Sequence, residues 1–157
     1  MVLTHKEKEL AAVGISVASG CKPCTNYHVK MAREESATDA EIKDAVTDAL
    51  RIRRSAADIM EHHGLARLGE NRPAVEALPL NETNRVTVLV CVGAAFGVNC
   101  TTTLKAYLNI AVKAGISQEE IVEIVRLAAF IKERAASHVE RLVDLGKEED
   151  ASKTVTA

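Results

Sequence analysis

Displaced by 79 residues, the sequence overlies itself without a gap, residues 4–60 falling on 83–139. Thr4 meets Thr83, Leu10 meets Leu89, Gly14 meets Gly93 and Cys21 meets Cys100. Further along, Ala32 meets Ala111, and Glu41-Ile42 meets Glu120-Ile121. Helix-start chemistry repeats in the same register. Thr38-Asp39-Ala40-Glu41 and Ser117-Gln118-Glu119-Glu120 both read as capping boxes, each ahead of a long apolar-periodic segment. Gly115, two residues before the second box, suits the residue that follows a helix end. A period of this kind reads as one helical unit duplicated, with the two copies sharing a core.

Each unit reads as three helices. The first starts at Thr4 (or Thr83) and runs to about Ala18 (or Gly97). The second begins near Pro23, a residue suited to a first helical turn. The third, from about Asp39 to Met60, sets Ile42, Ala45, Val46, Ala49, Ala56, Ile59 and Met60 at helical spacing. Its counterpart has only Glu123 and Arg126 charged between Ile121 and Ile131, which reads as a helix that is central or buried against another subunit. Val86 to Val92 is β-branched and could pass for a strand, but its register with the first helix favours helix. Residues 66–81 join the units, and the polar, aperiodic stretch 146–157 reads as a flexible tail. The expectation is therefore a single all-α domain over 1–157, two tandem three-helix repeats on one core.

Composition excludes several functions. The chain has 157 residues, 47% hydrophobic and 27% charged, too apolar and too evenly charged for a disordered protein. A formal net charge of -2 supplies no electrostatic footprint for nucleic acid or an anionic membrane. With no Trp, two Tyr and two Phe, stacking platforms for bases are not expected. Val86 to Thr103 is uncharged and long enough to raise the question of a membrane span, yet Asn99, Cys100 and three threonines make a buried helix the better reading. Charges occupy the N-terminus where an export signal needs an apolar stretch, so the expected location is cytoplasmic.

The strongest local chemical signal is Cys21-Lys22-Pro23-Cys24-Thr25-Asn26-Tyr27-His28. Cys24 and His28 are i and i+4 on one helix and so share a face. Cys24 also falls in the first turn, where free N–H groups and the helix dipole favour a thiolate. A neighbouring His can take its proton, and Cys21 is placed to attack an oxidised Cys24 and close a short disulfide. Other readings compete. A zinc site on Cys21, Cys24 and His28 lacks a fourth ligand at any convincing spacing. The cysteines could be core residues, and His28 a satisfied core histidine. His62 and His63 point about 100° apart on a helix and read as cations suited to its C-terminal end. Cys91 reads as core.

Glu9, eleven residues, then Cys21-x-x-Cys24-x-x-x-His28 resembles the signature of the AhpD-like superfamily, which comprises alkylhydroperoxidase D and the carboxymuconolactone decarboxylase proteins. The resemblance implies an all-α fold, commonly in trimers or hexamers. It implies that Cys24 is the peroxide-reactive thiol, Cys21 its disulfide partner, and His28 with Glu9 a proton relay. From the residues alone Glu9 cannot be chosen over Glu7. Alkylhydroperoxidase D carries a second His between its cysteines where this chain has Lys22-Pro23, which shortens the relay; Lys22 compensates in part by favouring a thiolate. In the second unit, Thr103 stands at the Cys24 position, Tyr107 at that of His28 and Val88 at that of Glu9, so this copy reads as scaffold.

The function expected is a thiol-dependent peroxidase or disulfide oxidoreductase acting on a small hydroperoxide or a partner disulfide. An external dithiol of lipoyl or thioredoxin type would regenerate it. No glycine-rich phosphate loop is present, and no bound cofactor or metal is expected. The alternatives are a carboxymuconolactone-decarboxylase-like enzyme on a small cyclic acid and a non-catalytic oligomeric scaffold.

Overall fold

The structure, a computed structural model, describes residues 2–75 and 84–143. Six helices follow in order among these residues: α1 (His5–Ala18), α2 (Lys22–Glu34), α3 (Asp39–Ala66), α4 (Arg85–Gly97), α5 (Thr101–Lys113) and α6 (Gln118–Leu142). The fold is all-α, as the sequence predicts, and Val86 to Val92 is helical rather than extended. The last part of the joining segment, 76–81, and the tail 146–157 lie outside the described residues.

The helix starts follow from capping. Thr4, Thr38 and Ser117 each accept a hydrogen bond from the N3 backbone N–H, while the carboxylates of Glu7, Glu41 and Glu120 accept one from the backbone N–H of the cap residue. The first of these boxes, Thr4 with Glu7, is an addition to the two read from the sequence. α4 departs from the expected start at Thr83: it begins at Arg85, with Asn84 accepting from the Thr87 N–H at 3.1 Å. Asn is among the strongest N-caps, which fixes the start. α3 also runs six residues past Met60. Gly64 within it is a weak brake, roughly 1 kcal/mol less favourable than Ala, and the helical run gives way only before Gly69, which takes φ +80°. Because α3 overruns the core, Met60 is 63% exposed rather than buried.

The centre of the molecule is α1 against α4. Leu10 to Ser16 and Val88 to Ala95 are unbroken runs of buried residues, so both helices are covered on all sides. The polar Ser16 is tolerated there because its hydroxyl donates to the Ala12 carbonyl at 2.7 Å. Two glycines let the axes approach. A Cβ on Gly14 would fall 2.6 Å from Val90 Cγ1, and one on Gly93 would fall 2.6 Å from Ile15 Cγ1. α3 packs on both central helices, as does α6; α2 leans on α1, and α5 on α4. α6 is not the central helix of the monomer, the first of the two readings of its composition. Ile121, Ile124, Ala128 and Ile131 bury one face, while Phe130 on another is 55% exposed. The central place is taken by α1 and α4, so the monomer has only one side of α6 to cover.

Arg85 at the start of α4 ties the layers together. Its guanidinium donates to Glu7 Oε1 at 2.7 Å and, through both terminal nitrogens, to the Glu120 carboxylate. Those hydrogen bonds hold Glu120 below the usual carboxylate range. Burial alone would raise Glu7, but Arg85 and the Thr4 backbone outweigh it and hold it low as well.

Candidate active site

α2 is mostly a polar helix, with buried residues at Cys24, His28 and Ala32. The spacing of four makes them a single stripe, and it faces α1. Cys24 and His28 therefore share a face, as the sequence predicts. Cys21 precedes the helix as its N-cap, in extended backbone with φ -96°, and its Sγ accepts from the Cys24 N–H at 3.2 Å. Gly20, with φ +73°, turns the chain from α1 into this cap. The site thus hangs on a tight corner between two packed helices.

The acid that joins it is Glu9. Its Oε2 lies 2.8 Å from His28 Nδ1, linking α1 to α2. Glu7, two residues away and about 200° around the helix, turns instead to Arg85. Of the two acids it is therefore Glu9 that meets His28, a contact the sequence does not display. A carboxylate can only accept, so opposite ionised Glu9 the proton of a neutral His28 sits on Nδ1, leaving Nε2 with a free lone pair.

Cys21 and Cys24 are joined as a disulfide, with Cα atoms 5.3 Å apart. Cys91 and Cys100 are free and buried. Burial, with Asp48 nearby, pushes the Cys91 thiol up to about 11, which keeps it a protonated core group. At the positions 79 residues further on, the Cys100 thiol donates to Thr103 Oγ1 at 3.2 Å, and Tyr107 and Val88 are wholly buried. His63 lies in the last turn of α3, and His62 Nε2 lies 3.4 Å from the Arg72 carbonyl oxygen.

A cavity of about 370 Å³ opens beside the dithiol. Cys24, Tyr27 and His28 of α2 form one wall, and Phe130, Arg134 and His138 of α6 the other. Sequence reasoning did not find the α6 wall. A ring nitrogen of His138 and the sulfurs of Cys21 and Cys24 all lie within 4.8 Å of one another. Beneath them, Ala128 and Ile131 of α6 pack with Ala12, Ile15 and the two cysteines in a small apolar cluster. The available signal is the spacing of 130, 134 and 138, four residues apart on one helix face. The 79-residue register does not point to it, since His138 overlies Ile59, which carries no chemistry. Arg134 stacks over the Phe130 ring, its Cζ 5.6 Å from the centroid, which fixes a positive charge at the cavity rim.

Residues 2–58 match the family model described as the carboxymuconolactone decarboxylase family, a family of the AhpD-like superfamily. The matched segment contains Glu9, Cys21, Cys24 and His28. The chain is also 37% identical over 68 residues to "Uncharacterized protein 4 in cox locus" of Paracoccus denitrificans, an alignment spanning 43% of this chain and 61% of that protein's length. No solved structure matches the chain.

Proposed function

We propose, from the match of residues 2–58 to the carboxymuconolactone decarboxylase family model, that this chain is a thiol-dependent oxidoreductase that reduces hydroperoxides or a partner disulfide. The observation that carries this reading is the junction of two helices at one dithiol. Glu9 of α1 holds His28 of α2, and His28 shares a cavity with Cys24, which pairs with Cys21. In the reduced protein, His28 Nε2 takes the Cys24 proton, through water, and the helix start favours the thiolate. The thiolate attacks a hydroperoxide oxygen, the O–O bond breaks, and the alcohol leaves with a proton, giving a sulfenic acid on Cys24. The Cys21 thiolate then attacks that sulfur, water leaves, and the disulfide closes. Two electrons pass from the thiols to the peroxide. An external dithiol, of lipoyl or thioredoxin type, returns them by exchange.

The same two sulfurs serve disulfide reduction of a protein partner without peroxide. The lactone-decarboxylase reading has no use for a dithiol, and a scaffold none for the Glu9–His28 pair. A thiol titration of metal-free reduced protein, before and after one equivalent of organic hydroperoxide, is the test. Loss of two thiols, with Cys21 and Cys24 linked on peptide mapping and recovered by dihydrolipoamide, is the expected result. Unchanged thiols refute peroxide reduction. Retention of full activity by Cys24→Ser refutes the redox readings together. The enzyme's homo-oligomeric state, trimer or hexamer, and its cytoplasmic location belong to the same proposal; among the described residues no helix is long and apolar enough to cross a membrane.

A further inference from the structure

The α6 wall places a third metal-ligating atom at the dithiol, one that neither the motif nor its relay uses. We propose that the reduced protein binds a zinc-class divalent cation through Cys21 Sγ, Cys24 Sγ and a ring nitrogen of His138, and that disulfide formation releases it. The three ligand atoms already lie within 4.8 Å of one another. In a tetrahedral shell with Zn–S of about 2.3 Å and Zn–N of about 2.0–2.1 Å, ligand atoms sit roughly 3.5–3.8 Å apart. Opening the S–S bond moves the sulfurs toward that spacing, and the histidine needs to close in by an ångström or so.

Three further features fit the assignment. The Cys24 N–H donates to Cys21 Sγ, an arrangement that supports negative charge on that sulfur. The apolar floor of Ala12, Ile15, Ala128 and Ile131 disfavours two bare thiolates side by side, a penalty that a divalent cation offsets. Two thiolates with an imidazole form a soft set that selects zinc or its spectroscopic stand-in cobalt over magnesium or calcium. His28, whose Nδ1 is engaged by Glu9, lies along the cavity onto which Cys24 and His138 also open. Three protein ligands with the fourth position toward a cavity is the pattern of an open site rather than a closed structural one.

Binding converts two thiols to thiolates and releases two protons. When one hydroperoxide then takes up two protons and two electrons from the thiolates, its O–O bond breaks as the S–S bond forms, and the products are the disulfide, an alcohol, water and the free cation. Release by hydroperoxide rests on the function proposed above; binding itself does not.

The test uses the full-length chain, reduced and freed of reductant under anaerobic conditions, titrated with Co2+ and back-titrated with Zn2+. Reduced protein should take up one equivalent with a thiolate-to-cobalt charge-transfer band that zinc abolishes. His138→Gln should bind at least tenfold more weakly, and His138→Cys should restore affinity with a stronger thiolate band. Circular dichroism establishes that each variant is folded. No charge-transfer band in the reduced protein overturns the proposal, as does equal affinity in His138→Gln or unchanged binding by the disulfide form. Hydroperoxide oxidation of chelator-treated protein is read separately, so failure of the metal site and failure of the peroxidase reading give different results.

Discussion

Replacing Glu120 by Gln isolates a charge without changing shape. Glu120 is 1% exposed and is the N3 residue of the α6 capping box, accepting from the Ser117 N–H at 2.8 Å. It also receives both terminal nitrogens of Arg85, whose side chain is 27% exposed. Gln keeps an acceptor for the cap, so the loss falls on the charge-assisted bonds, each worth about 1.5–3 kcal/mol where desolvated. Breaking a fully buried pair costs about 3–5 kcal/mol, but Arg85 is part-exposed and retains Glu7, which places the expected loss near 2 kcal/mol at pH 7. For a chain of this size that is a fall in Tm of about 4–8 °C. The pH dependence has a definite sign. The folded-state pKa of Glu120 is depressed, so its contribution is complete above the unfolded value of about 4.3 and disappears as pH falls through the lower folded value. Urea unfolding of wild type and Glu120→Gln at pH 7 and at progressively more acidic pH should show the difference shrinking from about 2 kcal/mol as the carboxyl protonates. An equal difference at every pH would refute the argument, since it would assign the effect to packing rather than to charge.

Other expectations follow from single contacts. Gly93→Ala should destabilise by about 1–2 kcal/mol, because a Cβ there meets Ile15 and Ile124 and overpacking exceeds the gain in helix propensity. Gly64→Ala, with nothing within 4 Å, should stabilise by about 0.5–1 kcal/mol; urea midpoints check both signs. Ser36 holds φ +66° at the end of α2, as Gly115 holds φ +77° after α5, so Ser36→Gly should raise stability by about 0.5–1 kcal/mol in thermal unfolding. Glu9→Gln should slow Cys24 oxidation by hydroperoxide about 10–100-fold in stopped-flow thiol assays while moving the unfolding midpoint little, since it leaves His28 a partner but not a charge.

Much of this arrangement is written in local chemistry. Capping boxes at Thr38 and Ser117, Pro23 in a first turn, and the four-residue spacing of Cys24 and His28 act within a few residues of themselves, so the sequence displays them. What it hides is tertiary. Glu7 and Glu9 are equivalent acids until Arg85, distant in the chain, claims the first. The apolar excess of 121–131 signals burial without saying that α1 and α4 fill the centre first. His138 reaches the cysteines only because Ala128 and Ile131 pack beneath them, and no spacing relation in the chain connects residue 138 to residue 21.

That last contact divides the candidate site along the chain. Glu9, the dithiol and His28 all stand before α3, whereas the opposite wall of the cavity comes from α6, near the end of the described residues. The dithiol with its Glu9–His28 pair and the α6 side of the cavity thus lie in separable stretches, joined by packing and not by sequence neighbourhood. Grafting the outer face of α6 from another chain, with its Ile121, Ile124, Ala128 and Ile131 footing kept, offers a way to re-tailor what enters the cavity while leaving Glu9, the two cysteines and His28 untouched.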